Sequence, residues 1–270
     1  MTSSSPRRLN LATILSAALI AFSLEPVAHE VLGHSVIAWL TGAKVILISS
    51  TAMQTQGGSR LVPASGPLAN LLFGLLAYAL VRQIPRFSAA RLFLWFFAFA
   101  NLLLGTGYIL YSGLINFGDS AVVIAGLKPV WLYRTALIAF GAWGYRFSIR
   151  LAARDLLAFI RFGSLLPGDV PRILYPSCTA GGLLYLAASI FNPVSPSLIL
   201  YDGLSMAFGT VLGFSLVSVI TKRFSKSLPE ATPTGHPTPT SIPFSASWLA
   251  SAAVCTVLFL IFLGHGIRLH

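Results

Sequence analysis

Long apolar runs, broken by short polar or basic intervals, fill the chain from about residue 9 onward. An α-helix needs roughly 20 apolar residues to cross about 30 Å of hydrocarbon. Seven runs meet or approach that length: Leu9–Leu40, Pro63–Val81, Leu92–Leu114, Val130–Phe147, Ile173–Phe191, Leu198–Ile220 and Ser247–Leu263. The first is too long for a simple crossing. As one helix it would measure about 48 Å, so it must tilt, protrude or kink, and Pro26 is the natural kink point. After it, "KVILISSTAMQTQGGSR" (Lys44–Arg60) is polar and β-branched and predicts a strand or hairpin. The fourth run continues into a basic helical extension, "RFSIRLAARDLLAFIRFG". Between the last two runs, "SLPEATPTGHPTPTSIP" lacks hydrophobic periodicity and reads as a flexible linker. The predicted fold is an all-α integral membrane protein of about seven transmembrane helices, with a short β-like loop after the first.

Composition closes off the soluble alternatives. Of 270 residues, 56% are hydrophobic and 9% charged, more apolar surface than a soluble domain can hide. A net charge of +11 would suggest nucleic acid, but the basic residues sit in clusters between apolar runs, as membrane topology requires. With seven spans, 13 lysines and arginines collect on the N-terminal side and 5 on the other (Lys44, Arg60, Lys128, Arg134 and Arg268). The expected topology therefore places the N-terminus in the cytoplasm, in a bacterial cytoplasmic membrane, with the lipid bilayer as the surrounding partner. Cys178 and Cys255 fall within spans and read as buried apolar residues rather than a disulfide. The apolar run near the N-terminus continues past any small-residue cleavage site, so no cleavable signal peptide is expected.

The first run carries the candidate chemistry. Within "LEPVAHEVLGHSVIAWL", Glu25, His29, Glu30 and His34 occupy a lipid-depth segment of a chain that has only 7 acidic residues. Ionisable groups at that depth are costly and mark function. Two imidazoles and a carboxylate suit zinc, and a neighbouring glutamate can take the proton of an activated water. The spacing is unusual: residues four apart share a helix face, whereas His29 and His34 are five apart, roughly 140° around an ideal helix. A π-bulge near Pro26 and Gly33 would restore convergence. Polar contacts between helices of the bundle are the alternative use for these side chains.

The stretch "AHEVLGHSVIAWLTGAKV" resembles the metal-binding helix of the site-2 protease family of intramembrane zinc metalloproteases, with one residue more than the His-Glu-x-x-His signature. "ASGPLANLLFGLLAYAL" (Ala64–Leu80) is similar to that family's Gly-Pro-x-x-Asn helix. On the residues alone, Ala64, Ser65, Gly66 and Ala69 permit close helix approach, and Asn70 needs a partner. The family's third element is a carboxylate in an Asn…Asp-Gly setting. Here Asn101 begins a match, but the first acid after it is Asp119, in "FGDS"; Asp202, in "LYDGLS", is an Asp-Gly on a later span. Asp119 could instead serve as a helix N-cap.

The resemblance covers about Leu9–Leu127. It implies zinc held by His29, His34 and Asp119, with Glu30 activating water and Glu25 or Asp202 as supporting or alternative ligands. It further implies that Asn70 and the Lys44–Arg60 strand region present an unwound membrane-protein or peptide substrate. The family's metal usually lies toward the cytoplasm, whereas the charge count here places it toward the opposite face. On this reading the chain divides into residues 1–127 (a core with the metal site) and 128–226 (further helices and a basic segment). A linker (227–245) and a last helix (246–270) complete it. The alternative is a catalytically silent relative that binds or regulates membrane partners, suggested by the extra residue in the motif. A transporter using the same four residues ranks last, because inverted halves and paired broken helices are lacking.

Overall fold

A computed structural model describes residues 8–227 and 241–269. Most of the expected linker, together with Arg7, His236 and His270, lies outside the described residues. The protein is an all-α multi-pass membrane protein. Its helices are α1 (Leu11–Leu40), α2 (Leu61–Gln83), α3 (Ala89–Ile115), α4 (Asp119–Ile124), α5 (Val130–Arg161), α6 (Asp169–Ile190), α7 (Ile199–Ser225) and α8 (Ala246–Gly264). The strands are β1 (Arg8–Leu9), β2 (Lys44–Ile48), β3 (Met53–Gln56), β4 (Ser241–Ile242) and β5 (Ile267–Arg268). The predicted hairpin is β2–β3, an antiparallel pair with a register shift between Val45 and Leu47.

Among the described residues, six helices are by length and composition apolar enough to cross a membrane; α5, which carries five arginines and Asp155, is not one of them. It nevertheless runs antiparallel to α3 along that helix's whole length. Arg134 donates to the Gly113 and Leu114 carbonyls at one end (2.9 and 2.7 Å), and Asp155 pairs with Arg91 at the other (2.9 Å). Two small sheets mark the ends of the bundle. β1 pairs in parallel with β4, putting residues 8 and 241 at one end of the bundle. β5 pairs with β2, putting the last described residues at the other end, beside the hairpin. Those pairings fit a bundle in which α5, packed along α3, lies beside the six candidate spans. The arginines at 146, 150, 154 and 161 are exposed, and their long stems can carry the charge to an interface.

The regions expected to follow one another share a single core. Phe22 of α1 packs against Phe96 of α3, Tyr185 of α6 and Phe214 of α7, with ring centroids 5.8–6.0 Å apart. Cys178 is buried, and both cysteines are free thiols. α8 is the most peripheral helix, its apolar side chains such as Val254, Ile261 and Phe262 exposed as a lipid-facing surface requires.

Candidate metal centre

α1 is not α-helical throughout. Val27–Ser35 is a π-helical stretch beginning directly after Pro26. Pro26 has no N–H to give the preceding turn, and the wider i→i+5 turn brings residues five apart to one face. The Ser35 hydroxyl donates to the Glu30 carbonyl, five residues back, at 2.9 Å. His29 and His34 thereby converge, with their Nε2 atoms 3.2 Å apart.

Asp119 completes the group. α3 ends in a left-handed Asn116 (φ 58°), and Gly118 (φ 85°) turns the chain so that α4 opens at Asp119. Its Oδ2 lies 3.0 Å from His29 Nε2 and 3.1 Å from His34 Nε2. Gly118, not Asp119, occupies the N-cap position, so the carboxylate is free to point at the imidazoles. Burial alone would raise the Asp119 carboxyl. The two histidines outweigh that and hold it below the usual carboxylate range.

The donor set fits a divalent ion. A tetrahedral site with bonds of about 2.0–2.1 Å has ligand–ligand edges of about 3.3–3.4 Å, close to the observed 3.0–3.2 Å. Proton accounting points the same way. His34 Nδ1 lies 2.6 Å from the Val62 carbonyl, which can only accept, so Nδ1 carries a proton and Nε2 is the nitrogen that faces the group. Unprotonated, that nitrogen would share a cation with the Asp119 carboxylate and the second imidazole. A cation at the centre would serve all three edges of this triangle at once. Among the described residues no lysine or arginine lines the cavity beside the group.

Close packing of α1 on α2 builds the wall behind the imidazoles. A Cβ at Gly33 would lie 3.0 Å from Ala69 Cβ, Gly66 Cα and the Ser65 carbonyl. A Cβ at Gly66 would overlap Nε2 of both His29 and His34. The small residues expected to permit close approach therefore do so at the group itself.

The other predicted residues surround it. Glu30 is buried and lines the cavity, and its Oε2 has no hydrogen-bond partner among the described residues. Glu25 stands outside the triangle: Asn70 Nδ2 donates to its Oε1 (2.6 Å) and the Tyr185 hydroxyl to its Oε2 (3.1 Å). The Asn70 amide nitrogen is thus committed to Glu25, while its Oδ1 is buried and neighbours His29. Asp202 also lies outside the triangle; it lines the same cavity and interacts with the Tyr108 hydroxyl. The cavity has a volume of about 440 Å³, and the Ser50–Met53 turn of the hairpin forms part of its wall.

Tyr108, Tyr185 and the Val62 carbonyl escape a reading of the sequence. A tyrosine tip inside an apolar span is a usable signal for the first two, since a buried hydroxyl needs a partner. A backbone carbonyl carries no residue signal at all.

Fold and site together define a multi-pass helical membrane protein with a partly buried group of two histidines and one aspartate beside a buried glutamate. No protein-family model, curated protein or solved structure matches the chain.

Proposed function

We propose that this protein is an intramembrane zinc metalloprotease, hydrolysing peptide bonds of membrane-embedded substrates. The observation that carries the reading is the convergence of His29, His34 and Asp119 beside a buried, unpartnered Glu30. Those three side chains would hold the ion, and when bound it would supply Lewis-acid activation of water and of the scissile carbonyl. Glu30 Oε2 is free to take the proton of the attacking water and return it to the leaving amide nitrogen. His34 is held in the ligating tautomer by Val62, and the carbonyl-facing Nδ1–H keeps its ring from turning. Asn70 braces Glu25 beneath His29. The surrounding spans exclude bulk water, which strengthens each of these interactions.

The extra residue in "HEVLGH" favours a silent scaffold only while the helix is regular; the π-helical turn removes that objection. Zinc analysis of the purified protein, combined with cleavage assays on a panel of membrane-spanning peptides, tests the reading. One zinc per chain and cleavage lost in Glu30→Gln support it. Cleavage that persists unchanged in Glu30→Gln, or a protein devoid of bound zinc after metal supplementation, rejects it.

A further inference from the structure

The cavity does not stop at the metal-binding group. From Asp119 and Asp202 it continues as an apolar groove between α3 and α7, lined by Leu104, Leu110, Tyr145, Met206, Gly209 and Leu212. Its outer end reaches the lipid-facing surface, where Leu212 is 51% exposed. Its floor is α5: the Tyr145 hydroxyl donates to the Gly209 carbonyl at 3.0 Å and ties α5 to α7 there.

Gly209 is unlike the packed glycines of the bundle. Glycine inside a helix is disfavoured relative to alanine, and close packing usually explains its presence. At Gly66 and Gly141 a Cβ would collide with a neighbouring helix or its side chains. At Gly209 the nearest atom to an added Cβ is Leu104 Cδ2, at 3.9 Å, an ordinary contact. Its missing side chain leaves space in the groove. At the inner end of the same cavity stand the unpartnered Glu30 Oε2 and the buried, unpartnered Ser50 hydroxyl, polar atoms that a bound polypeptide backbone or water would satisfy.

We propose that the α3–α7 groove receives a leucine- or phenylalanine-sized side chain of the polypeptide segment whose carbonyl meets His29, His34 and Asp119, and that Gly209 sets the size it accepts. The inference rests on the metal-dependent peptidase reading. Continuity with the cluster selects the occupant: the groove and the metal-binding group line one cavity, so a side chain flanking the reacting carbonyl would meet apolar walls there. An acyl chain would gain the same walls but would leave Glu30 and Ser50 unmet.

Binding, rather than turnover, provides the test. The full-length protein is loaded with cobalt(II) in detergent. Its visible spectrum is titrated with peptidyl hydroxamates differing in one side chain: methyl, isobutyl or benzyl. The isobutyl and benzyl compounds are expected to bind roughly tenfold tighter than the methyl compound, as burial of one such side chain provides. Gly209→Leu is expected to erase that preference while leaving methyl-compound affinity within about twofold. Gly209→Ala, whose Cβ the groove accommodates, is expected to lower the benzyl compound's affinity more than the isobutyl compound's. Equal affinities in the wild type, or a preference that survives Gly209→Leu, overturn the groove assignment. A preference abolished by added phospholipid also overturns it, and marks an acyl-chain site instead. Absence of any cobalt spectrum overturns the metal reading itself, an outcome distinct from chelation without side-chain discrimination.

Discussion

Two sets of charged side chains are buried at opposite ends of α3, and they are satisfied in different ways. At its first turn, Arg91 forms a two-pronged pair with Asp155 of α5 (2.9 and 3.1 Å) and donates to the Val81 and Ile84 carbonyls at the end of α2. Its guanidinium also lies 4.5 Å from the centroid of the Phe159 ring. Opposite charges meet, each strong donor has an acceptor, and the set clips three helices together. Just past the other end of α3, Asp119 Oδ2 meets two imidazole nitrogens that also lie 3.2 Å from each other, so three polar atoms converge. There a neighbouring carboxylate oxygen is left unpartnered, and the set opens on a cavity. A buried polar set that closes on itself is a structural joint. One that converges and leaves a carboxylate oxygen unpartnered beside a cavity is a candidate binding site.

Mutations should separate the two sets, and the largest effect is expected at Glu30. Replacing it with glutamine should lower peptide cleavage by roughly a hundred- to ten-thousand-fold, the range for a lost general base. Zinc content and the detergent denaturation midpoint should stay at wild-type values. Arg91→Met should behave in the opposite sense. It strands a buried Asp155 and should cost about 3–5 kcal/mol of stability in denaturant titrations, with zinc stoichiometry intact in the folded fraction. Adding Asp155→Leu should recover most of that loss, because the unpaired charge is gone. No second substitution of that kind can rescue a lost zinc ligand.

Gly66→Ala sharpens the contrast from the packing side. One methyl group would displace both imidazoles, so zinc affinity should fall about 10–100-fold while the fold persists. Competition with a chromophoric chelator measures this, and unchanged affinity would show that the α2 wall does not set the imidazole positions. The smallest effect is expected from Tyr185→Phe. It removes one of two donors to Glu25 and should cost about 1–3 kcal/mol, with little change in zinc affinity. A large loss of zinc there would place Glu25 in the metal-binding group after all.

Much of this arrangement is legible in the chain. Helices need long apolar runs, and each predicted span lies within or close to an observed helix, because hydrocarbon thickness fixes their length. The π-helical turn is readable too: two histidines five apart can converge only if the helix widens, and Pro26 marks the place. The small residues around Gly66 point correctly to close approach. What is hidden depends on contacts through space or on backbone. Nothing local pairs Arg91 with Asp155, 64 positions apart, or brings Tyr185 to Glu25. The Val62 carbonyl that sets the His34 tautomer has no side-chain signature. β5, the C-terminal strand on the hairpin, is two residues long and too short to show a period. α5 is legible as the run Val130–Phe147 with its basic extension, and what the sequence hides is its packing along the whole of α3.

The central claim is that an ion belongs between His29, His34 and Asp119. Zinc-edge X-ray absorption on the purified protein tests it most directly. One zinc per chain is expected, with two imidazole nitrogens and a carboxylate oxygen at about 2.0–2.1 Å, and a loss of imidazole scattering in His34→Ala. A protein that binds no zinc, or whose zinc signal is unchanged by His34→Ala, would contradict it.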